Sequence, residues 1–171
     1  YAPRGGLPPQ SDLVSDRAVF TQAYAVIPKR EFSDIVASLL PFWDRTRLWM
    51  IARPLSGFAE TFSQYIMEVQ PGGGSDIPEP DPGAEGVLFV VDGTVSLAIA
   101  GQRYDLAPGG YAYLPPSSQW TLRNRSDGPA RFHWIRKAYE YVAGLEASDP
   151  LVLNEQDIEP IAMPDTDGKW A

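Results

Sequence analysis

The sequence predicts an all-β fold, an antiparallel barrel or sandwich, from three observations. Short apolar or alternating segments recur from residue 47 onward at intervals of about ten residues, separated by turns rich in glycine and proline. Asp92-Gly93 separates two apolar runs, 87–91 and 94–100, and this dipeptide predicts a hairpin that joins them. The chain has 171 residues, 44% of them hydrophobic, which is enough for one domain with a packed core.

The first 46 residues are predicted to form an arm and edge segments. Residues 1–15 are rich in proline, glycine and polar side chains and indicate an extended arm, while residues 17–27 alternate loosely, as an edge strand does. The segment 31–43 has apolar residues at helical spacing before Pro41, which favours a short helix. A strand with a bulge is the alternative, and the pattern leaves both open.

Residues 47–143 are predicted to form the barrel, and residues 144–171 a linker. The predicted strands are RLWMIARP, FAETFSQYIMEV, VLFVV, TVSLAIA, QRYDL, YAYL, WTLRN and RFHWIRKAY. From residue 144 the chain becomes polar and contains several prolines, as linkers do. We expect the arm 1–15 and the tail 144–171 to pack against another barrel, because their apolar residues cannot all reach one small core.

Charge and composition exclude several classes of function. A net charge of −8 disfavours a nucleic-acid partner and an anionic membrane surface. The absence of cysteine excludes a disulfide framework, a thiol nucleophile and a thiolate metal site within these residues. No run of 18 apolar residues and no apolar signal core are present, so we expect a soluble, cytoplasmic protein. The chain starts at Tyr1, and we expect it to be part of a longer polypeptide.

Two stretches have the glycine spacing of a metal-binding β-barrel. Gly74 and Gly93 match the outer glycines of a motif that reads Gly, five residues, His-x-His, three or four residues, Glu, six residues, Gly. Gly109, Pro115 and Asn124 match a second motif of the same kind. In that motif a histidine stands before the asparagine, with three residues between them. Alternate residues of a strand point to one face, so His-x-His directs two imidazoles at one metal ion. This spacing resembles the cupin family, which implies a double-stranded β-helix or jelly-roll barrel.

The four ligand positions of this spacing hold no metal-binding side chain. They are Pro80, Pro82, Gly86 and Trp120. Proline and glycine have no side-chain donor atom, and an indole N–H only donates hydrogen bonds. We therefore expect a metal-free cupin barrel with a vestigial site, in which the retained motif residues serve the turns.

Several longer phrases resemble a more specific family. PGGGSDIPEPDPGAEGVLFVVDG, LAPGGYAYLPP, FHWIRKAY and ARPLSGFAETFSQY are similar to the N-terminal half of the (S)-ureidoglycine aminohydrolases, two-cupin enzymes of allantoin breakdown also described as glyoxylate-induced proteins. The resemblance covers residues 8–171. It implies that this cupin holds no metal and that a second cupin, outside these residues, holds Mn(II) through a Glu-x-His-x-x-x-His set and a Gln.

The resemblance implies hydrolysis of (S)-ureidoglycine to ureidoglycolate and ammonia by the two-cupin protein in purine catabolism. This half alone is expected to be inactive and to contain no catalytic residue. The implied partners are the substrate, the second cupin half and further copies in a homo-oligomer. Two alternatives stay open: a stand-alone metal-free cupin that binds a small anion, and a structural or oligomerisation barrel.

Trp120, Trp134 and Arg136 are the candidate residues for a ligand pocket. Arg136 and Lys137 are adjacent on one predicted strand and therefore point to opposite faces. An anion or carboxylate site arises if one of the two cations enters the cavity beside the tryptophans.

The other acidic residues and the single histidine are interpreted as structural. His133 has no second histidine with which to form a metal site and no visible partners for a catalytic triad. Glu85 adjoins the vestigial site, but the motif count selects Gly86 instead. Glu60 and Glu68 fall on one face of a predicted strand and are interpreted as solvent-facing or subunit-facing.

Overall fold

The structure is a computed structural model that describes residues 19–20, 25–27, 36–52, 61–159 and 161. Within these residues the regular structure is β-strand, apart from a 3₁₀ turn at Glu155–Asp157, and no helix is long and apolar enough to cross a membrane. The strands are β1 Val19–Phe20, β2 Ala25–Val26, β3 Asp44–Ala52, β4 Phe62–Ser75, β5 Ala84–Asp92, β6 Val95–Ile99, β7 Gln102–Leu106, β8 Gly110–Leu114, β9 Trp120–Arg123, β10 Ala130–Ala138 and β11 Leu151–Asn154. The all-β prediction is confirmed.

Strands β3 to β11 form one antiparallel sheet that curves into a nearly closed barrel, while β1 and β2 pair separately. One half of the barrel has the order β11-β8-β5-β10-β4, with β3 also paired to β4. The end of β4 then pairs with β9, and β6 and β7 follow. The long strand β4 therefore connects the two halves, and the predicted antiparallel barrel is confirmed.

The crossing of β4 between the halves requires glycine at position 74. Gly74 has a φ of 134°, and a Cβ atom there would lie 2.0 Å from the carbonyl oxygen of Leu122 on β9. Only glycine combines this backbone conformation with so close an approach of two strands. The first glycine of the spacing motif is thus explained by the fold alone.

The core lies inside the barrel, and alternation of buried and partly buried residues is clearest along β5. On β5, Ala84, Gly86, Leu88 and Val90 are buried and the residues between them are only partly buried. The fully buried large side chains come from five strands: Met67, Val69, Leu88, Val90, Val95, Leu97, Leu122 and Phe132. Trp120 and Trp134 belong to the same core cluster, at its boundary with the cavity described below.

The hairpin predicted at Asp92-Gly93 is wrong. β5 pairs with β8 and β10, whereas β6 pairs with β7 and β9, so the two strands beside this dipeptide lie in different halves of the barrel. Gly93 does make a tight turn, with a φ of 70°. A Cβ atom there would lie 2.5 Å from the carbonyl oxygen of Pro129. The dipeptide predicted the turn correctly, but barrel closure determines which strands pair.

Residues 36–43 are extended and turned, so the helix alternative is wrong for this part of the segment 31–43. Ala37 forms an isolated antiparallel bridge with Leu48, and the chain turns at Pro41 and Phe42 before β3 begins at Asp44. Leu39, a member of the supposed apolar face, is 96% exposed. Residues 31–35 lie outside the described residues, as does the arm 1–15.

Part of the predicted linker belongs to the barrel sheet. β11 pairs with β8, and the backbone N–H of Glu155 donates to the carbonyl oxygen of Gly109 at 3.0 Å. The side chain of Asn154 caps the 3₁₀ turn by accepting from the N–H of Gln156. Leu151 on this strand stays half exposed. Packing of the tail against another barrel stays a prediction.

Candidate functional site

The four predicted ligand positions line one cavity of the barrel, with a volume of about 760 Å³. Pro80 and Pro82 lie in the loop between β4 and β5, Gly86 faces inward on β5, and Trp120 begins β9. Trp134 on β10 lines the same cavity. The structure therefore brings the four vestigial positions together, and the absence of a metal ion among them stays a prediction.

The proline-rich loop is held in place over the cavity by backbone hydrogen bonds. The N–H of Ser117 donates to the carbonyl oxygen of Pro82 at 2.8 Å, and the N–H of Tyr139 donates to that of Gly83 at 2.8 Å. The N–H of Gly83 also donates to the Asp81 side chain at 2.9 Å. Proline restricts the loop further, because its ring fixes φ. The loop is thus an ordered wall of the cavity.

The residues at the four positions do not fit a metal ion. None of their side chains offers a lone pair to a cation, since proline and glycine lack donor atoms and the indole nitrogen carries a hydrogen. Among the described residues, no group of three or more His, Asp or Glu side chains is arranged to hold a metal. No step of a metal-dependent reaction can therefore be assigned to this cavity.

Trp134 occupies the space that a side chain at Gly86 would need. Its indole nitrogen lies 3.2 Å from the position of a Cβ atom built on Gly86. The ring packs edge-to-face against Trp120, with 6.1 Å between centroids, and lies 5.8 Å from both Trp43 and Tyr65. Such aromatic contacts fix the ring orientation beyond simple burial. The vestigial site is therefore closed on this side by tryptophan.

Arg136 is paired with an acidic residue and is not among the residues that line the large cavity. Its Nη2 atom donates to Oε1 of Glu79 at 2.7 Å, and Nε lies 2.5 Å from Oε2 as an ionic contact without hydrogen-bond geometry. The guanidinium carbon also lies 5.6 Å from the Trp134 ring centroid, within cation–π range. The charge of Arg136 is thus already balanced within the chain.

Lys137 points to the opposite side of β10, as the alternation predicted, and joins a second polar group. Its Nζ atom lies 3.5 Å from Oε1 of Glu85, and the Tyr113 hydroxyl donates to Oε2 of Glu85 at 2.9 Å. Burial, then the hydrogen bond to Glu85, raises the pKa of Tyr113 to about 12. Glu85 is thus occupied by two partners and takes no part in a ligand set.

Glu79 is the residue that sequence reasoning missed. Its side chain is only 9% exposed, and it connects the loop to β10 through Arg136. No local pattern in the segment PEPDP indicates that one of its carboxylates turns inward. One sequence signal could have predicted the pair. A cation that faces inward on β10, next to an acidic loop beside the cavity, indicates an ion pair between the two.

His133 and Glu68 have structural environments on the outer side of the barrel. The Nδ1 atom of His133 lies 3.3 Å from Nε2 of Gln64, and burial lowers the pKa of the imidazole. Glu68 is 5% exposed and accepts from Nε of Arg131 at 2.7 Å and from Nε2 of Gln70 at 2.9 Å. Glu68 is therefore paired and buried instead of solvent-facing. Glu60 lies outside the described residues.

The electrostatics of the cavity differ from those of an anion site. Its lining includes the acidic residues Asp76, Glu79, Asp81 and Glu85, of which Glu85 directs its carboxylate away toward Tyr113 and Lys137, and no Lys, Arg or His among the described residues. Arg123, Arg136 and Lys137 each pair with one of these carboxylates from outside the lining. The cavity can therefore bind a ligand through hydrogen bonds and apolar contacts, but it presents no nucleophile activated by a neighbouring base.

Comparison with known proteins agrees with this geometry. Residues 65–136 match a family model described as a cupin domain. The chain is 24% identical over 136 residues to (S)-ureidoglycine aminohydrolase of Escherichia coli K12, a match that covers 79% of this chain and 50% of that protein. The chain thus spans about half the length of the curated relative that it matches.

Two solved structures extend the match. A glyoxylate-induced protein of Pseudomonas aeruginosa is 58% identical, with a TM-score of 0.80 over 98% of this chain and 61% of that one. Protein YlbA of Escherichia coli is 22% identical, with a TM-score of 0.74 over 89% and 61% of the two chains, and shares the fold. Residues 65–136 therefore match the cupin-domain family model, and the chain is similar to (S)-ureidoglycine aminohydrolase of Escherichia coli over most of its own length.

Proposed function

We propose that this chain is the metal-free cupin half of a two-cupin hydrolase that converts (S)-ureidoglycine to ureidoglycolate and ammonia. The similarity to the Escherichia coli aminohydrolase supports the reaction. We assign the metal to the other cupin half because of the cavity in this chain. Pro80, Pro82, Gly86 and Trp120 meet there without a metal-binding atom among their side chains.

In this proposal the reaction takes place in the second cupin, outside this chain. Mn(II) held there by a Glu-x-His-x-x-x-His set and a Gln supplies a Lewis acid close to the leaving amine. Release of an amine at neutral pH needs an electrophile or a proton donor beside it. The lining of the cavity in this chain includes neither histidine nor lysine, so this half contributes barrel packing and subunit contacts to a cytoplasmic homo-oligomer.

A stand-alone binding module is the second candidate, favoured by the size of the cavity. A volume of about 760 Å³ lies within the range of small-molecule sites. The reading frame after Ala171 separates the two candidates. A frame that continues into a Glu-x-His-x-x-x-His segment supports the hydrolase, and a stop codon at that point supports the module.

The experiment is an ammonia-release assay on the full-length protein with freshly prepared (S)-ureidoglycine. We expect release that depends on Mn(II), and none from residues 1–171 alone. Trp120→Phe or Arg136→Gln in the full-length protein should alter its stability or its KM while the manganese content stays unchanged. Turnover by residues 1–171 unaided, or no release by the manganese-loaded full-length protein, would show the proposal to be wrong.

A further inference from the structure

The cavity contains a hydrogen-bond donor that the chain itself does not use. Trp134 is 6% exposed, and within the described residues its indole N–H donates to no other residue. Among the described residues, the indole nitrogen is not one of the side-chain atoms that are both enclosed and unpartnered, and it lies 3.2 Å from the Cβ position of Gly86 on the cavity wall. An indole N–H can only donate. A ligand that reaches this wall is therefore stabilised by placing an acceptor atom there.

The rest of the polar lining is mainly acidic. It includes Asp76, Glu79 and Asp81, whose carboxylates accept hydrogen bonds, and Gln119, whose amide both accepts and donates. The described lining has no cation to attract an anion.

The charge of this lining is partly balanced. Two of its three inward carboxylates have cationic partners: Arg123 for Asp76 and Arg136 for Glu79. A cationic ligand therefore meets little uncompensated negative charge, and it also meets a donor at Trp134, with which it cannot pair. The arrangement favours an uncharged ligand that offers an acceptor to the indole and donors to the carboxylates.

We propose that this cavity binds a small uncharged carboxamide, with the carbonyl oxygen against the Trp134 indole N–H and the amide N–H groups toward the carboxylates of the lining. The apolar walls, which include Ile99 and Leu114, accommodate the hydrocarbon part of such a ligand. The proposal concerns binding by this half alone. It does not depend on the metal or on the hydrolysis proposed above.

The test compares three ligands of nearly equal shape: propionamide, propionate and propylammonium. Each is titrated into ¹⁵N-labelled full-length protein without added metal, and the indole N–H resonances are followed by NMR. We expect propionamide to shift the Trp134 resonance saturably. Both charged ligands should bind at least about tenfold more weakly. Propionate brings a negative charge toward the acidic lining and no donor for it, and propylammonium offers no acceptor to the indole N–H.

Two variants distinguish a loss of the binding site from a loss of the folded structure. Trp134→Phe keeps a ring but removes the donor, and it should weaken propionamide binding at least about tenfold. Gly86→Ala leaves the donor in place and puts a methyl group beside it, with the same expected loss if Trp134→Phe fails to fold. Trp49→Phe, on β3 away from the cavity lining, is the matched control and should bind like the wild type.

Three results would overturn the proposal: no saturable shift with propionamide, equal or tighter binding of either charged ligand, or full binding by the folded Trp134→Phe variant. Because ammonia release is not measured here, these outcomes stay separate from a failure of the proposed hydrolase function.

Discussion

The side chain of Asn124 lies after β9 and uses every hydrogen-bonding atom that it has. Its Nδ2 atom donates to the carbonyl oxygens of Val69 and Gly128, both at 2.8 Å. Its Oδ1 atom accepts from the N–H of Ser126 at 2.9 Å and from the Ser126 hydroxyl at 2.7 Å. The residue is 1% exposed. The asparagine of the spacing motif therefore ties the turn before β10 to β4, whether or not a metal is bound.

Asn124→Ala should destabilise the barrel, because it leaves buried carbonyl groups without a donor. Each unsatisfied buried group costs about 1–3 kcal/mol, so we expect the free energy of unfolding to fall by roughly 2–4 kcal/mol. Urea denaturation followed by tryptophan fluorescence measures this change. Arg125→Ala, an exposed neighbour, is the control and should change stability by less than about 0.5 kcal/mol. Equal urea midpoints for Asn124→Ala and the wild type would contradict this role.

His133 gives the protein a specific dependence of stability on pH. Burial lowers its pKa in the folded state below the ordinary value of 6.5, while the unfolded chain keeps that value. As the pH falls below 6.5, the histidine of the unfolded chain becomes protonated while His133 in the folded state stays neutral. The free energy of unfolding therefore decreases until the pH reaches the folded-state pKa. Above pH 6.5 both states are neutral and this dependence vanishes.

His133→Gln should remove this part of the pH dependence. We expect the wild type to lose more stability than the variant as the pH falls through 6.5, the ordinary pKa that the histidine keeps in the unfolded chain. Urea denaturation of both proteins above and below this pH gives the comparison. Parallel curves would mean that His133 titrates alike in the folded and unfolded states.

At the scale of the elements, β4 is the strand on which closure of the barrel depends. It pairs with β3 and β10 over most of its length and with β9 at its end. The change of partner occurs at the glycine-rich segment, where Gly74 passes Leu122 more closely than any side chain permits. The run of three glycines is thus a structural crossing and not a phosphate-binding loop.

Gly74→Ala should separate β4 from β9 and destabilise the barrel. A Cβ atom 2.0 Å from a backbone oxygen forces the two strands apart. Overpacking and the strained backbone together should cost roughly 2–5 kcal/mol in the free energy of unfolding.

Gly101→Ala is the matched control for this change. Gly101 also has a positive φ, 77°, but nothing lies within 4 Å of its Cβ position. It should therefore cost only the backbone strain, about 1 kcal/mol. Equal losses in the two variants, measured by urea denaturation, would refute the role given to close approach.

At the scale of the whole molecule, large apolar side chains remain exposed outside the barrel core. Tyr141, Val142 and Leu145 follow β10 and are 77%, 57% and 67% exposed, and Leu151 and Ile158 are about half exposed. Apolar groups clustered along one segment are typical of contact surfaces. These residues agree with the expectation that the tail packs against another barrel, which stays a prediction.

We predict that this chain in isolation self-associates through its apolar segments. Sedimentation velocity at increasing protein concentration should show species larger than the monomer. Leu145→Asp, in the exposed segment after β10, should shift the distribution toward the monomer, because a charge buried in an apolar contact is costly. Asp149→Asn, a nearby exposed polar change, is the control. A compact, soluble monomer at all concentrations would count against packing on a second barrel.

The sequence by itself determined the all-β class, the positions of most strands and the lack of metal ligands. These properties depend on local alternation, on turn residues and on which side chains are present. β7 to β10, for example, coincide with the segments QRYDL, YAYL, WTLRN and RFHWIRKAY. The absence of metal-binding atoms at Pro80, Pro82, Gly86 and Trp120 needs no structure at all, because it follows from the chemistry of the side chains.

Only the tertiary structure decided which strands pair and what charge the cavity presents. Asp92-Gly93 has the sequence of a hairpin turn, yet β5 pairs with β10 and β6 pairs with β9. The reason is that a closed barrel satisfies the hydrogen bonds of more backbone groups than one isolated hairpin does. Arg136 was expected to offer its charge to an anion, but a loop 57 residues earlier in the chain brings Glu79 to it. Such pairings join segments that are distant in the sequence, and their geometry exists only once the barrel has formed.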